Sequence, residues 1–283
     1  MKWARLEIKV PIESTEILKG FLIGKGIDKW EENGGLRIYM VLDETLSSFL
    51  AELQKFLLQN TLKENISWTI SLSVLEEHKW ESKWREAFTL RKVGEKLVIK
   101  PPWIEYEPKE EEIVLEIEPR SAFGTGEHPS TRLCLSLMEK FLKKDSIVLD
   151  VGCGSGILSL AAALLGAGKV IGIDIDEMAV RESEENASRL GLGDKVVFLH
   201  GNLLKDIPTT KADLILCNID LPSLRAIFPY LTYYLKPGGI LVASGFTEEG
   251  YKMLDVPDYL EEMEKMKEDD WVGVAWRMKT ASK

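Results

Sequence analysis

Residues 147–176 read IVLDVGCGSGILSLAAALLGAGKVIGIDID, and this stretch decides the fold. Ile147, Val148, Leu149 and Val151 make an apolar, β-branched run typical of a buried strand, which meets a glycine turn at Gly152, Gly154 and Gly156. From Ile157 to Leu165 the chain is apolar on nearly every side, as a helix pressed against a sheet would be. A second strand, Lys169 to Ile175, ends in Asp174. Strand, turn, helix and strand in this order form half of a doubly wound α/β sheet. Nucleotide-like ligands bind such sheets at the carboxyl ends of the strands, and an acid after the second strand holds the ribose hydroxyls.

Charge selects the nucleotide. A dinucleotide fingerprint, Gly-x-Gly-x-x-Gly, places a pyrophosphate on the helix N-terminus. Here the third glycine falls one position early, and Ile157 stands where the last should be. Asp150, two residues before the turn, would repel a pyrophosphate. The same carboxylate suits a ligand carrying an amino group and a sulfonium, which describes S-adenosylmethionine, so the pocket fits a methyl donor better than NAD.

At 283 residues and 45% apolar content the chain can bury one large core or two modest ones. No stretch reaches the ~20 apolar residues of a membrane span, and the opening MKWARLEIKV alternates charge with apolar residues, unlike a signal peptide. A cytoplasmic protein is expected. Cys134, Cys153 and Cys217 are far apart, odd in number and without metal-ligand spacing, so they read as buried small side chains with no metal site. The formal charge of −10 disfavours sequence-independent binding to nucleic acid and makes a basic protein the more natural partner.

Residues 1–76 read as a small α+β unit. Trp3 to Val10 alternates as a strand, Glu13 to Leu22 is helical, and Leu36 to Leu42 is a strand after the Asn33-Gly34-Gly35 turn. Thr45 to Leu58 has helical spacing, and Ile66 to Leu75 is a strand. A strand at Lys25 to Trp30 would complete β-α-β-β-α-β, the ferredoxin-like order. Residues 77–92 form a linker in which Trp80 and Trp84, four apart, share one helix face. Pro101-Pro102 and the acidic run Glu105 to Glu112 read as a solvated loop. Residues 93–283 form the donor domain. After the glycine turn come helix Glu177 to Leu190, strands Lys195 to His200 and Ala212 to Ile219, helix Pro222 to Leu235 and strand Ile240 to Ser244. In the tail, Glu261 to Asp270 is helical by propensity and Trp271 to Met278 alternates as a strand.

KWESKWREAF (79–88), EPRSAFGTGEHPSTRLCL (118–135) and VLDVGCGSGILSLAA followed by GIDID together resemble the PrmA family, the bacterial methyltransferases of ribosomal protein L11. The resemblance implies a Rossmann-like class I methyltransferase with a seven-stranded sheet, closed by an antiparallel pair, and a small ferredoxin-like α+β domain that recognises substrate. It implies S-adenosylmethionine as cofactor and transfer to lysine, and to an N-terminal α-amine, of ribosomal protein L11. A monomer is expected, with neither nucleic acid nor a membrane as partner, as the charge and the lack of an apolar span indicate. Donor contacts carry over onto Thr131, Gly152, Asp174 and Asn218; Asp150, Gly154 and Asn202 join them, Asn202 at the adenine edge. Asn218 is the candidate catalytic residue, its amide oxygen aimed at the amine. Without the resemblance, Thr131 reads as a helix cap and His128 as a loop residue bonding its neighbours. The chain departs from the family at Asn218-Ile219-Asp220-Leu221-Pro222, where small or apolar residues usually follow Asn-Ile. Asp220 attracts a lysine, alters which amine is accepted, or caps the helix that Pro222 begins. The alternatives are a PrmA-like enzyme acting on another protein, such as an electron-transfer flavoprotein subunit, and an RNA-binding module, which the acidic charge opposes.

Overall fold

The computed structural model describes residues 3–27, 30–32, 35–42, 44–61, 68–75, 88–118, 125–207 and 210–280. They form two compact units, Met1–Phe88 and Thr89–Lys283.

Unit 1 runs β1 (Trp3–Lys9), α1 (Ile12–Gly24), β2 (Glu31–Glu32), β3 (Leu36–Val41), α2 (Glu44–Thr61) and β4 (Thr69–Leu75). The antiparallel sheet has the order β2-β3-β1-β4, the ferredoxin-like arrangement. Ala4, Leu6 and Ile8 alternate onto one face of β1 opposite Met40, Ile38 and Leu36 of β3. That face is covered by Leu18 and Leu22 of α1 and by Phe49, Leu53 and Leu57 of α2. Of the strand expected at Lys25 to Trp30, the described residues 25–27 and 30 are not in strand conformation, and β2 is Glu31–Glu32. Residues 25–27 instead close α1: Gly26, at φ +76, donates to Ile23 O, and Ile27 N–H reaches back to Leu22 O at 2.8 Å. This is a Schellman ending, with glycine at its left-handed position.

Unit 2 begins with a small sheet that the sequence reading does not foresee: β5 (Arg91–Val93), β6 (Leu97–Lys100) and β7 (Ile113–Glu116), in that order. Residues 101–112 form the loop between β6 and β7. There follow α3 (Pro129–Phe141), β8 (Ile147–Val151), α4 (Ile157–Leu164), β9 (Lys169–Asp174), α5 (Glu177–Arg189), β10 (Val196–His200), a 3-10 turn (Leu203–Asp206), β11 (Ala212–Asn218), α6 (Leu221–Tyr234), β12 (Leu235–Thr247), α7 (Glu248–Lys252), β13 (Leu260–Glu268) and β14 (Trp271–Met278). The seven-stranded sheet has the order β10-β9-β8-β11-β12-β14-β13, parallel from β10 to β12 and antiparallel at β14 and β13.

Strand alternation feeds two cores, one on each face. Val148, Leu214, Leu216 and Val242 point to the side of α3, α4 and α5, whereas Leu149, Val151, Ile215 and Leu241 point to the side of α6. Leu160, Ala161 and Ala162 are fully buried, so α4 is enclosed on nearly every side. Truncating Leu160 to Ala would cost about 2–5 kcal/mol.

The helix expected at Glu261 to Asp270 is the edge strand β13. Its run of Glu, Lys and Met favours a helix locally, but pairing with β14 overrides that preference. Leu260, Glu264, Met266 and Glu268 turn inward while Glu261, Lys265 and Lys267 face water. Charged residues on an edge strand also discourage pairing with another chain.

Candidate active site

The glycine turn joins β8 to α4 with all three glycines in the left-handed region: Gly152 at φ +75, Gly154 at +54 and Gly156 at +80. Two of them also lack room for a side chain. A Cβ on Gly152 would stand 2.6 Å from Ile219 Cγ2, and one on Gly156 would stand 2.8 Å from the Phe198 ring. The turn is tied to β9 by its backbone: Gly152 and Cys153 N–H both donate to Ile173 O, at 2.8 and 3.0 Å. Gly154 N–H donates to Asp174 Oδ2 at 2.8 Å, and the other Asp174 oxygen accepts from Asp176 N–H at 3.0 Å. Asp174 therefore orders the turn, and each of its oxygens keeps acceptor capacity for a ligand hydroxyl.

Asp150 is fully buried at the end of β8. Its Oδ2 accepts from Ser159 N–H at 3.0 Å and from Ser159 Oγ–H at 2.7 Å. Ser159 is the third residue of α4, whose N-cap, Gly156, supplies no side-chain bond. Asp150 thus caps α4 from the neighbouring strand, a role its sequence position does not reveal. Its Oδ1 is buried without a hydrogen-bond partner. Burial pushes the carboxyl up to about 7 against the Ser159 bonds, and the nearby Asp174 charge adds to the rise.

Thr131 and Asn218 lie 87 positions apart and meet. Thr131 is fully buried in the first turn of α3, and its Oγ1 accepts from Asn218 Nδ2 at 3.2 Å. Asn218 Oδ1 is buried and unpartnered. The cap of α3 is His128 rather than Thr131: its Nδ1 accepts from Ser130 N–H, with Pro129 at the first helical position. His128-Pro129-Ser130 is a start signal that the sequence carries. Asp220 caps α6, Oδ1 accepting from Ser223 N–H at 2.8 Å, and its side chain is exposed. Asn202 follows β10, whose His200 is paired with Asp174, and is exposed. Its backbone N–H donates to Asp206 Oδ2 at 2.8 Å, and its side chain makes no cap bond to the 3-10 turn. Gly245, absent from the sequence reading, has φ +99 and lies so close to Ile219 that a Cβ would be 2.4 Å from its carbonyl oxygen. Together with Ile219 N–H donating to Ser244 O at 3.0 Å, it seats the loop after Asn218 on β12.

The carboxyl ends of β8, β9 and β11 thus gather a backbone cradle, two acids and a Thr–Asn pair with an open acceptor. The profile of the family described as ribosomal protein L11 methyltransferase (PrmA) matches residues 13–279. The chain belongs to this family. Its relatives include the ribosomal protein L11 methyltransferases of Syntrophomonas wolfei, 37% identical over 81% of this chain and 75% of the relative, and of Clostridium perfringens, 39% identical over 75% and 68%. Among solved structures, the ribosomal protein L11 methylase of Lactobacillus delbrueckii subsp. bulgaricus superposes with a TM-score of 0.63 at 29% identity, over 68% of this chain and 99% of that one. As a PrmA-family chain it is a methyltransferase, and the open acceptors and the three glycines of the turn fit a cationic nucleoside donor. Among the described residues no helix is long and apolar enough to cross a membrane.

Proposed function

We propose that this chain transfers methyl groups from S-adenosylmethionine to lysine side chains, and to the N-terminal α-amine, of ribosomal protein L11 in the cytoplasm. The observation that carries the reading is the Thr131–Asn218 pair, whose buried Asn218 Oδ1 has no partner beside the Gly152 cradle.

When bound, S-adenosylmethionine supplies a methyl group on a sulfonium that leaves without needing a proton. The chain's own task is to bind, align and exclude water. Asp174 accepts from the ribose hydroxyls, Gly152 and Gly154 give the backbone close access, and Asn202 serves the adenine edge. Thr131 completes the donor pocket. Asp150 offers a buried acceptor whose ionisation a cationic ligand favours. Asn218 Oδ1 accepts an N–H of the incoming amine and holds its lone pair toward the methyl group. A lysine amine, with its ordinary pKa of about 10.4, must first lose its proton, which a dry pocket beside a cation favours.

Residues 1–76 serve as the recognition domain and 93–283 as the donor domain of a monomeric enzyme; in the linker read at 77–92, Arg91 and Lys92 already lie in β5 of unit 2. Trp80 and Trp84, read as hinge residues, lie outside the described residues. The test is mass spectrometry of purified ribosomal protein L11 after incubation with the enzyme and labelled donor. Stepwise gain of methyl groups on amines is expected; an unmodified L11 alongside another methylated protein rejects the substrate.

A further inference from the structure

The start of α3 is fixed more firmly than a helix end requires. His128 is nine-tenths buried, and its ring meets Trp271 edge-on with centroids 4.4 Å apart. Its Nδ1 lies 3.2 Å from Ser130 N and 2.7 Å from Ser130 Oγ. A backbone N–H can only donate. Nδ1 must therefore carry its lone pair, and the proton of the neutral ring sits on Nε2. Three residues on from this cap stands Thr131, whose Oγ1 takes the Asn218 amide.

Among the described residues, the charged groups that flank His128 along the chain bond to others nearby. Glu127 is held by Arg91 of β5 and by Thr89 N–H. Arg132 of α3 grips Glu268 of β13 and the Glu127 carbonyl. Asp269 and Asp270, in the turn between β13 and Trp271, are exposed. The protonated ring would set an N–H against the Ser130 N–H at a helix N-terminus, where positive charge is disfavoured.

We propose that His128 is a positioning residue for donor binding: as a neutral cap it holds Thr131 in register with Asn218, and protonating it releases that register. The inference rests on reading Thr131 and Asn218 as the donor-binding pair. It adds that affinity for the donor is set one turn away, by a side chain that touches neither the ligand nor the amine.

The experiment uses the full chain and measures S-adenosylhomocysteine affinity by calorimetry, well below the melting midpoint, where circular dichroism shows every variant folded. His128→Ala is expected to weaken binding about tenfold, while His128→Asn, which restores an acceptor in a residue favoured at helix N-caps, stays within about twofold of wild type. On acidification the wild type loses affinity relative to His128→Asn, because asparagine does not titrate. Equal affinities for wild type and His128→Ala, or parallel pH profiles for wild type and His128→Asn, would overturn the proposal. Thr131→Val is the control: if it binds like wild type, the donor pair itself is wrong, whereas if it binds weakly and His128→Ala does not, only the role of His128 fails.

Discussion

In unit 1 the described buried residues, among them Leu6, Ile8, Leu22, Ile38 and Leu53, are all apolar; in unit 2 the buried residues also include His128, Thr131, Asp150, Ser159 and Asn186. Buried polar groups are costly unless paired, and here each serves the turn or the helices around it. Asn186, for instance, donates from Nδ2 to the Ser155 carbonyl at 2.9 Å. Among the described residues of unit 1 no polar side chain is buried, and Leu72 and Val74 on β4 are exposed. The difference teaches that, among the described residues, polar chemistry is built into the interior of unit 2 and lies nearer the surface in unit 1.

Removing residues 1–88 puts that division to its hardest test. Donor binding should survive nearly intact while methylation of ribosomal protein L11 is lost; full activity of the truncated enzyme on intact L11 would end the idea that unit 1 recognises the substrate.

The cost of interior polarity should be measurable at Asp150. With its carboxyl at about 7 in the folded chain and about 3.9 when unfolded, the folded state holds a proton that the unfolded state has released between those values. This contribution to stability is therefore fully present below about pH 4, falls as pH rises toward 7, and is lost above it. Asp150→Asn should gain on wild type by on the order of 4 kcal/mol between about pH 4 and pH 8. Parallel urea-unfolding stabilities across that range would show that Asp150 does not carry the cost.

Asp174→Ala should weaken donor binding about 10- to 100-fold, the loss of a charged acceptor that also ties down Gly154. Unchanged affinity with unchanged circular dichroism would remove Asp174 from the site. Asn218→Ala is expected to slow single turnover by about tenfold with little change in L11 binding, as fits an interaction strongest in the transition state. A wild-type rate would reduce Asn218 to a structural residue. At the small end, Lys19→Met in unit 1 removes exposed pairs with Glu16 and Glu32 and should leave the melting midpoint unchanged within error. A clear fall would mean that unit 1 relies on its surface charges more than its apolar core suggests.

Much of unit 2 was legible because its parallel strands and the glycine turn are local patterns: IVLDV, GCGSG and KVIGID each specify their own conformation. The Thr131–Asn218 meeting was reachable only through the family resemblance, since nothing within either segment points to the other. The cap that Asp150 places on Ser159 was hidden for a related reason: it crosses from a strand to a helix, and only the folded turn brings the two together. β13 misled because a run such as EEMEKMKE states helix propensity plainly and sheet pairing not at all; its fate is decided by β14. At the end of α1 the sequence did carry the signal, Gly26, while the strand order β-α-β-β-α-β asked for a strand there.

The three cysteines give the molecule a built-in reporter. Cys134, Cys153 and Cys217 are free and buried, and burial, helped by the Asp150 charge, pushes each thiol up, away from the reactive thiolate. All three belong to unit 2, and unit 1 has none. An alkylating reagent added to the native chain therefore reacts only as fast as the donor-binding half breathes open, and records nothing of the other half. Slower labelling in the presence of donor would time how firmly the ligand keeps that half shut.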